Sequence, residues 1–343
     1  MKDNNSAWRN IGAWALLGAG AYLAIRTVYD YVNRYQLKGK VVLITGGSRG
    51  LGLVLARALA AEGAKLALCS RTASQLGQAQ HELEAAGAEV VTFCADVSER
   101  DQVKQLITDV VDHYGRIDVL VNNAGIIQVG PEEAMSIEDY EEAMKVNFWS
   151  ALYAIKEVVP HFKKQGEGRI VNITSIGGKI AVPHLLPYTA SKFALVGLSE
   201  GLHAELSKDN IKVTTVVPNL MRTGSPRNAT IKGDHEAEYA WFKLSGSSAL
   251  LSSKAEAVAR RIVQAIEYEE TEVILSVTAR TAVMLQGIAP GLIPTLMSLA
   301  NAILPVNVHG GDQARKGYEA ESEWSIGPVG SRSDKAALLN NQF

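Results

Sequence analysis

Tyr188 and Lys192 stand one helical turn apart in the run Pro187-Tyr188-Thr189-Ala190-Ser191-Lys192. Pro187 suits the opening of a helix, and a spacing of four puts both side chains on one face. A free tyrosine titrates near ~10, too high to act as a base. A lysine charge one turn away, together with the positive charge of an oxidised hydride carrier, would stabilise the phenolate and bring the phenol toward the range useful for proton transfer. Ser175 follows an apolar run and can donate to an oxygen on which charge develops. Reduction of a carbonyl needs a proton on oxygen and a hydride on carbon, and oxidation of an alcohol needs the reverse. Taken singly, each residue has a plainer reading: an exposed helical Tyr–Lys pair and a turn serine.

The hydride needs a carrier. Thr45-Gly46-Gly47-Ser48-Arg49-Gly50-Leu51-Gly52 follows the apolar run Val41–Thr45. Glycines let a chain turn tightly and let backbone N–H groups approach a pyrophosphate. A helix starting near Gly50 would aim its positive end at the same place. A second apolar run ends at Leu68-Cys69-Ser70-Arg71, where an NAD-preferring fold carries an acid for the ribose hydroxyls. Arg71 and Arg49 would instead suit the 2′-phosphate of NADP. The expectation is NADP(H) over NAD(H).

These residues need a scaffold that brings strand ends together. Apolar runs at Val41–Thr45, Lys65–Ser70, Val90–Phe93, Val119–Val121, Ile170–Ile173, Val213–Val217 and Val273–Leu275 read as strands buried on both faces. Stretches such as Leu51–Glu62 and Gln102–Tyr114 have helical spacing. The alternation predicts a doubly wound parallel α/β sheet, a Rossmann fold of three α/β/α layers, with functional residues just beyond the strands.

In this order the motifs closely resemble the classical short-chain dehydrogenase/reductase (SDR) family across most of Lys38–Ser276. The family's TGxxxGxG turn is matched by Thr45 to Gly52. Its acid after the third strand is matched by Asp96, beside Val97, and its NNAG motif by Asn122-Asn123-Ala124-Gly125. Its mid-helix Asn, its Ser and its YxxxK pair are matched by Asn147, Ser175, Tyr188 and Lys192. The resemblance implies that Asp96 and Val97 lie at the adenine and that Asn123, Ala124 and Gly125 border the cofactor. It also implies that Lys192 bonds the nicotinamide ribose and that Asn147 holds a water linking Lys192 to solvent, partly through a helix irregularity. The family's Pro-Gly after the sixth strand reads Pro218-Asn219 here, with Thr223 in place of the carboxamide-binding Thr. Asn tolerates unusual backbone angles, so the turn is expected to survive. Family members assemble as dimers or tetramers, which implies a homo-oligomer.

The chain has 343 residues, 47% of them hydrophobic, and a net charge of -2, so no global field points to nucleic acid. The cysteines Cys69 and Cys94 read as small buried hydrophobes. The histidines, His184 and His203 among them, show no metal-ligand spacing, so no metal is expected.

Residues 1–36 hold an uncharged apolar run, Ile11 to Ile25. At about 1.5 Å per residue this run is short for a ~30 Å hydrocarbon core, although flanking Trp, Tyr and Arg residues could extend it. A membrane anchor is the favoured reading; a packed helix and a cleaved signal peptide are the alternatives. Arg26, Arg34, Lys38 and Lys40 after the run outnumber Lys2 and Arg9 before it, which places the main domain in the cytoplasm.

The catalytic domain is expected over 37–280, with a substrate lid at about 219–253. That lid carries Tyr239, Trp241, Phe242, Leu244, Leu250 and Leu251, which could favour an apolar substrate or simply pack the lid. A second apolar stretch, 281–306, has no charge and is broken by Pro290, Pro294 and Pro305. It predicts short helices on a membrane surface or over a cleft. The polar residues 307–343 are expected to be mobile. The resulting expectation is an NADP(H)-dependent oxidoreductase acting on a lipophilic alcohol or carbonyl compound, in the reductive direction. The alternative is a non-catalytic, nicotinamide-sensing or scaffold protein on the same fold.

Overall fold

The computed structural model describes residues 34–247, 252–306, 313–326 and 330–343. The anchor reading of 11–25, and Leu250 and Leu251 of the lid, lie outside the described residues. Seven parallel strands form the central sheet: β1 (Val41–Thr45), β2 (Lys65–Ser70), β3 (Val90–Cys94), β4 (Val119–Asn122), β5 (Gly168–Ile173), β6 (Ile211–Val217) and β7 (Glu272–Ile274). Their spatial order is β7-β6-β5-β4-β1-β2-β3. All seven expected strands are present, with boundaries moved by at most two residues.

The order reverses between β1 and β4. That is the switch point at which two crossover directions leave a crevice beyond the strand ends. Both faces are covered. One core joins Val42, Ile44, Leu66 and Leu68 to α1 (Gly50–Ala61), and the other joins Leu43, Leu120 and Ile170 to helices on the opposite side. Side chains alternate along a strand, so a sheet buried on both faces needs the near-continuous Val/Ile/Leu runs seen here.

The remaining helices follow in chain order: α2 (Ala73–Ala85), α3 (Arg100–Tyr114), α4 (Ile137–Met144), α5 (Ser150–Gln165) and α6 (Leu186–Leu206). After β6 come α7 (His235–Ser247), α8 (Ala255–Glu267), α9 (Val277–Ile288), α10 (Leu292–Asn301), α11 (Glu323–Ile326) and α12 (Ser331–Leu339).

Several details depart from the sequence reading. Tyr35, expected in the N-terminal segment, belongs to the catalytic domain. Its ring lies under the Arg169 guanidinium, 3.2 Å from it, and its N–H donates to the Glu267 carbonyl. Cys94 is exposed at the sheet edge; only Cys69 is buried, and both are free thiols. The described part of 313–343 is not a loose tail. Lys243, fully buried in α7, pairs with Asp334 at 2.9 Å and Glu321 at 3.4 Å, which ties α12 to α7. Arg315 and Lys316 also pair antiparallel with Thr230 and Ile231. A buried ammonium is tolerable only with such partners, so these residues satisfy a group that α7 could not leave alone.

Candidate active site

The turn after β1 is held open by its own hydrogen bonds. Thr45 Oγ1 accepts the N–H groups of Asn123 (3.0 Å) and Ala124 (3.1 Å), and Asn123 Nδ2 donates to the carbonyls of Thr45 and Gly46. The two crevice-forming strands are thereby locked at their ends. Gly46 has φ +63° and Gly50 +56°, conformations that glycine adopts without cost. A methyl group on Gly52 would fall inside the van der Waals shell of the Gly46 carbonyl, so the helix approaches the turn as only glycine allows. Gly125 faces the same crevice: a Cβ there would sit 2.9 Å from Asn147 Oδ1 and 3.6 Å from Lys192 Nζ. Leu51 is buried in the core behind the turn, and Val97 is buried beside Asp96.

Ser48 donates to Ser70 at 2.9 Å, joining the turn to the end of β2. Arg49 and Arg71 lie close enough to repel. Burial chiefly, and Arg71 secondarily, lower the Arg49 pKa. Arg71 is exposed and lies 3.6 Å from Asp96. Burial pushes the Asp96 carboxyl up, but hydrogen bonds from Ser98 and the Arg71 charge outweigh it and hold the group below its ordinary value. Arg49 Nη1 donates to Asn228 Oδ1 at 2.7 Å, a partner 179 positions away that no spacing rule could supply.

The second cluster sits at the ends of β5 and on α6. Ser175 Oγ accepts the Gly177 N–H at 3.0 Å, and its hydroxyl lies near enough to the Tyr188 phenol to lower the pKa of that group. Lys192, 4% exposed, donates from Nζ to the Ile173 carbonyl at 3.0 Å, and Nζ lies 5.8 Å from the centre of the Tyr188 ring. Burial lowers the lysine to about 8. The Tyr188 phenol moves the other way: burial raises it, with the Ser175 hydroxyl opposing. The lowering of Tyr188 expected from Lys192 together with oxidised nicotinamide belongs to the cofactor-bound site; the direction here is that of the protein groups alone.

Asn147 lies on a π-helical turn, Lys145–Trp149, between α4 and α5. The expected irregularity is present. The buried side chain accepts the Ile126 N–H (2.8 Å) and donates to the Ile126 carbonyl (3.1 Å) and Ser191 Oγ (2.9 Å). It therefore stitches the loop after β4 to α6, next to Lys192.

Pro218 and Thr223 lie beyond β6. The Pro218 carbonyl accepts the Ile176 N–H at 2.8 Å, while Thr223 is buried with Oγ1 bonded to Ser225 at 2.6 Å. Asn219 has no left-handed backbone, so this turn does not use the tolerance expected of it.

His184 reads from the sequence as a surface or pocket residue, and its role in the fold was missed. It is buried with φ +59°, and Nδ1 meets Glu238 Oε1 at 2.7 Å. Trp241 Nε1 donates to Glu238 Oε2 at 2.6 Å, so α7 grips the segment entering α6 just before Tyr188. The lid aromatics Tyr239 and Phe242 are buried against Val129, Leu185, Ala229 and Ile231, so they pack the lid rather than line an open pocket. Among the described residues no group of His, Cys, Asp or Glu could hold a metal.

Comparison with known proteins decides the lineage. The short chain dehydrogenase family model matches residues 40–232. The chain belongs to the short-chain dehydrogenase/reductase family. A dehydrogenase/reductase SDR family protein 7-like of Anopheles gambiae is 35% identical over 266 residues, covering 76% of this chain and 82% of that one. A Burkholderia phymatum SDR solved in complex with NAD has a TM-score of 0.69 and 26% identity, covering 75% and 96%. A metagenomic SDR solved in complex with NADP has a TM-score of 0.58 and 28% identity, covering 70% and 98%. This SDR chain is therefore a nicotinamide-dependent oxidoreductase acting on a small molecule.

Proposed function

We propose that this SDR enzyme uses NADP(H) to interconvert a lipophilic alcohol and its ketone or aldehyde, with Tyr188 as the acid/base. The observation that carries the reading is the Ser175–Tyr188 contact, one helical turn from the buried Lys192 and facing the crevice bordered by Gly125. Thr45, Gly46, Ser48, Gly50, Leu51, Gly52, Asn123, Ala124 and Gly125 shape a cradle whose glycines leave room at the positions a Cβ would fill. Asp96 and Val97 would border the adenine, and Pro218 and Thr223 the nicotinamide end. When bound, the nicotinamide supplies or accepts the hydride.

This chain's own residues handle the proton. Ser175 orients the substrate oxygen toward the phenol. Tyr188 holds a proton for a carbonyl oxygen in reduction and takes it back in oxidation. Lys192 places a cation behind the phenol and within reach of the ribose. Asn147 fixes the loop and helix that flank it.

Arg49 and Arg71 favour the 2′-phosphate. The Arg71–Asp96 contact is exposed, and an exposed pair of this kind resists rearrangement weakly. The apolar character of the substrate rests on α9 and α10. Between 281 and 306 there is no charged residue, and Val277, Met284, Ile288, Leu299, Ile303 and Val306 are exposed. Helices of this kind suit a membrane surface, from which a lipophilic substrate would arrive. No helix among the described residues is long and apolar enough to cross a membrane. Exposed Trp149 and Phe193, on the elements that carry Asn147 and Tyr188, support a homo-oligomeric contact there.

A panel of lipophilic ketones, aldehydes and alcohols with NADPH and NADP+, repeated with NADH and NAD+, tests the proposal. Tyr188→Phe should cut turnover by at least about a hundredfold while leaving NADPH binding intact, as expected for loss of a general acid. Equal turnover by the variant would remove Tyr188 from the mechanism, and a preference for NADH would reverse the cofactor assignment.

A further inference from the structure

Residues 340–342 lie on the glycine turn, and the Phe343 ring lies against Arg227. Arg57 guides the segment to the turn, donating to the Leu339 carbonyl at 2.8 Å and to Asn340 Oδ1 at 2.9 Å. The Asn340 carbonyl then accepts the N–H of Gly50 at 2.8 Å. Asn341, with φ +55°, donates its side-chain amide to the carbonyls of Ser48 (3.0 Å) and Gln75 (3.1 Å). The Gln342 amide covers Gly50 so closely that a Cβ on this glycine would collide with it. Asn228 donates to Gln342 (2.6 Å to Oε1) while its own oxygen holds Arg49.

Gly50 opens α1, and the first N–H groups of a helix have no partner within it. They are also the donors that favour an anion. Here a neutral backbone carbonyl takes the Gly50 N–H, and an amide network engages the arginine assigned to the 2′-phosphate. We propose that residues 340–343 form an autoinhibitory strap, which competes with the phosphates of the nicotinamide dinucleotide for the start of α1 and for Arg49. The inference rests on the reading of Thr45–Gly52 as the cofactor turn.

The construction suits a strap with a fixed base and a releasable tip. Its base is tied by the buried Lys243 to Asp334 and Glu321. Beyond the Arg57 bonds to Leu339 and Asn340, its tip is held at the turn by hydrogen bonds between uncharged groups. Lifting the tip breaks those bonds and leaves the base in place. A binding-competent form that is only a fraction of the population weakens the apparent affinity by that fraction.

Deletion of Asn340–Phe343 should therefore tighten NADPH binding, read by nucleotide fluorescence titration, by roughly five- to tenfold with kcat unchanged. Asn341→Asp sets a carboxylate against the Ser48 and Gln75 carbonyls; it should shift affinity the same way without shortening the chain. If the deletion variant fails to fold by circular dichroism, Asn341→Asp alone decides. Unchanged or weaker NADPH binding by the folded variants, with measurable binding by the full chain, overturns the strap and leaves the cofactor assignment standing. Absence of binding to both NADPH and NADH, in the full chain and the variants alike, overturns both.

Discussion

Burial acts on Tyr188 and Lys192 in opposite chemical senses: it keeps the proton on the phenol and drives it off the amine, lowering the lysine to about 8. The consequence for stability can be signed. In the unfolded chain a lysine titrates near ~10.4, so above that pH the group is neutral in both states and costs nothing. As pH falls from there through about 8, the folded protein takes up the proton later than the unfolded chain and loses stability. At pH 7 the penalty is complete, with an upper bound of about 3 kcal/mol. Lys192→Met should accordingly raise resistance to urea at pH 7, and the advantage should vanish above about pH 10.5. The same substitution should abolish turnover. Since the proposed role needs the ammonium, wild-type kcat/KM should decline as pH rises past about 8. A flat profile to pH 9.5 would remove the lysine charge from the mechanism.

At the scale of the element, the β1–turn–α1 unit depends on how closely the helix meets the turn. Gly52 lies against the Gly46 carbonyl and Asn123 Nδ2, with no room for a methyl. Gly52→Ala should destabilise the fold by about 1–3 kcal/mol, the usual cost of overpacking. It should also weaken NADPH binding, because the displaced turn carries the phosphate-facing N–H groups. Denaturant titration and nucleotide fluorescence check the two effects separately. The unit was legible in the sequence because apolar runs, glycine spacing and amphipathic periodicity are local signals. The π-turn at Lys145–Trp149 was less so: an irregular helix carries no periodicity of its own, and only the resemblance drew attention to Asn147. The grip of Glu238 on His184 was illegible, since the two are 54 residues apart and each looks ordinary in its own segment.

At the scale of the molecule, the catalytic sheet and the apolar pair α9–α10 divide the chain into a buried-core body and a surface with exposed leucine and isoleucine. If α9–α10 rest on lipid, Leu299→Glu with Ile303→Glu should reduce flotation with phosphatidylcholine vesicles severalfold while leaving turnover of a water-soluble substrate unchanged. The two positions are 65% and 86% exposed, so charges there disturb no core. Undiminished flotation would move the membrane contact elsewhere. An N-terminal truncation for the same purpose should stop before Arg34, because Tyr35 packs on Arg169 and bonds Glu267.

The sequence by itself determined the strands, their parallel doubly wound arrangement, the glycine turn and the Ser175–Tyr188–Lys192 set. The strands and the turn are written in neighbouring residues or in a period of two to four, which local physics is enough to read; Ser175 and the Tyr188–Lys192 pair were joined by the resemblance in motif order. Tertiary structure alone decided how burial acts on those residues, because desolvation depends on everything packed around a group: it raises Tyr188 and lowers Lys192. It also decided what the polar C-terminal residues do. Their hydrogen bonds reach back 293 positions, from Asn341 to Ser48, and their polarity reads as solvation until the buried Lys243 and the open N–H of Gly50 are brought beside them.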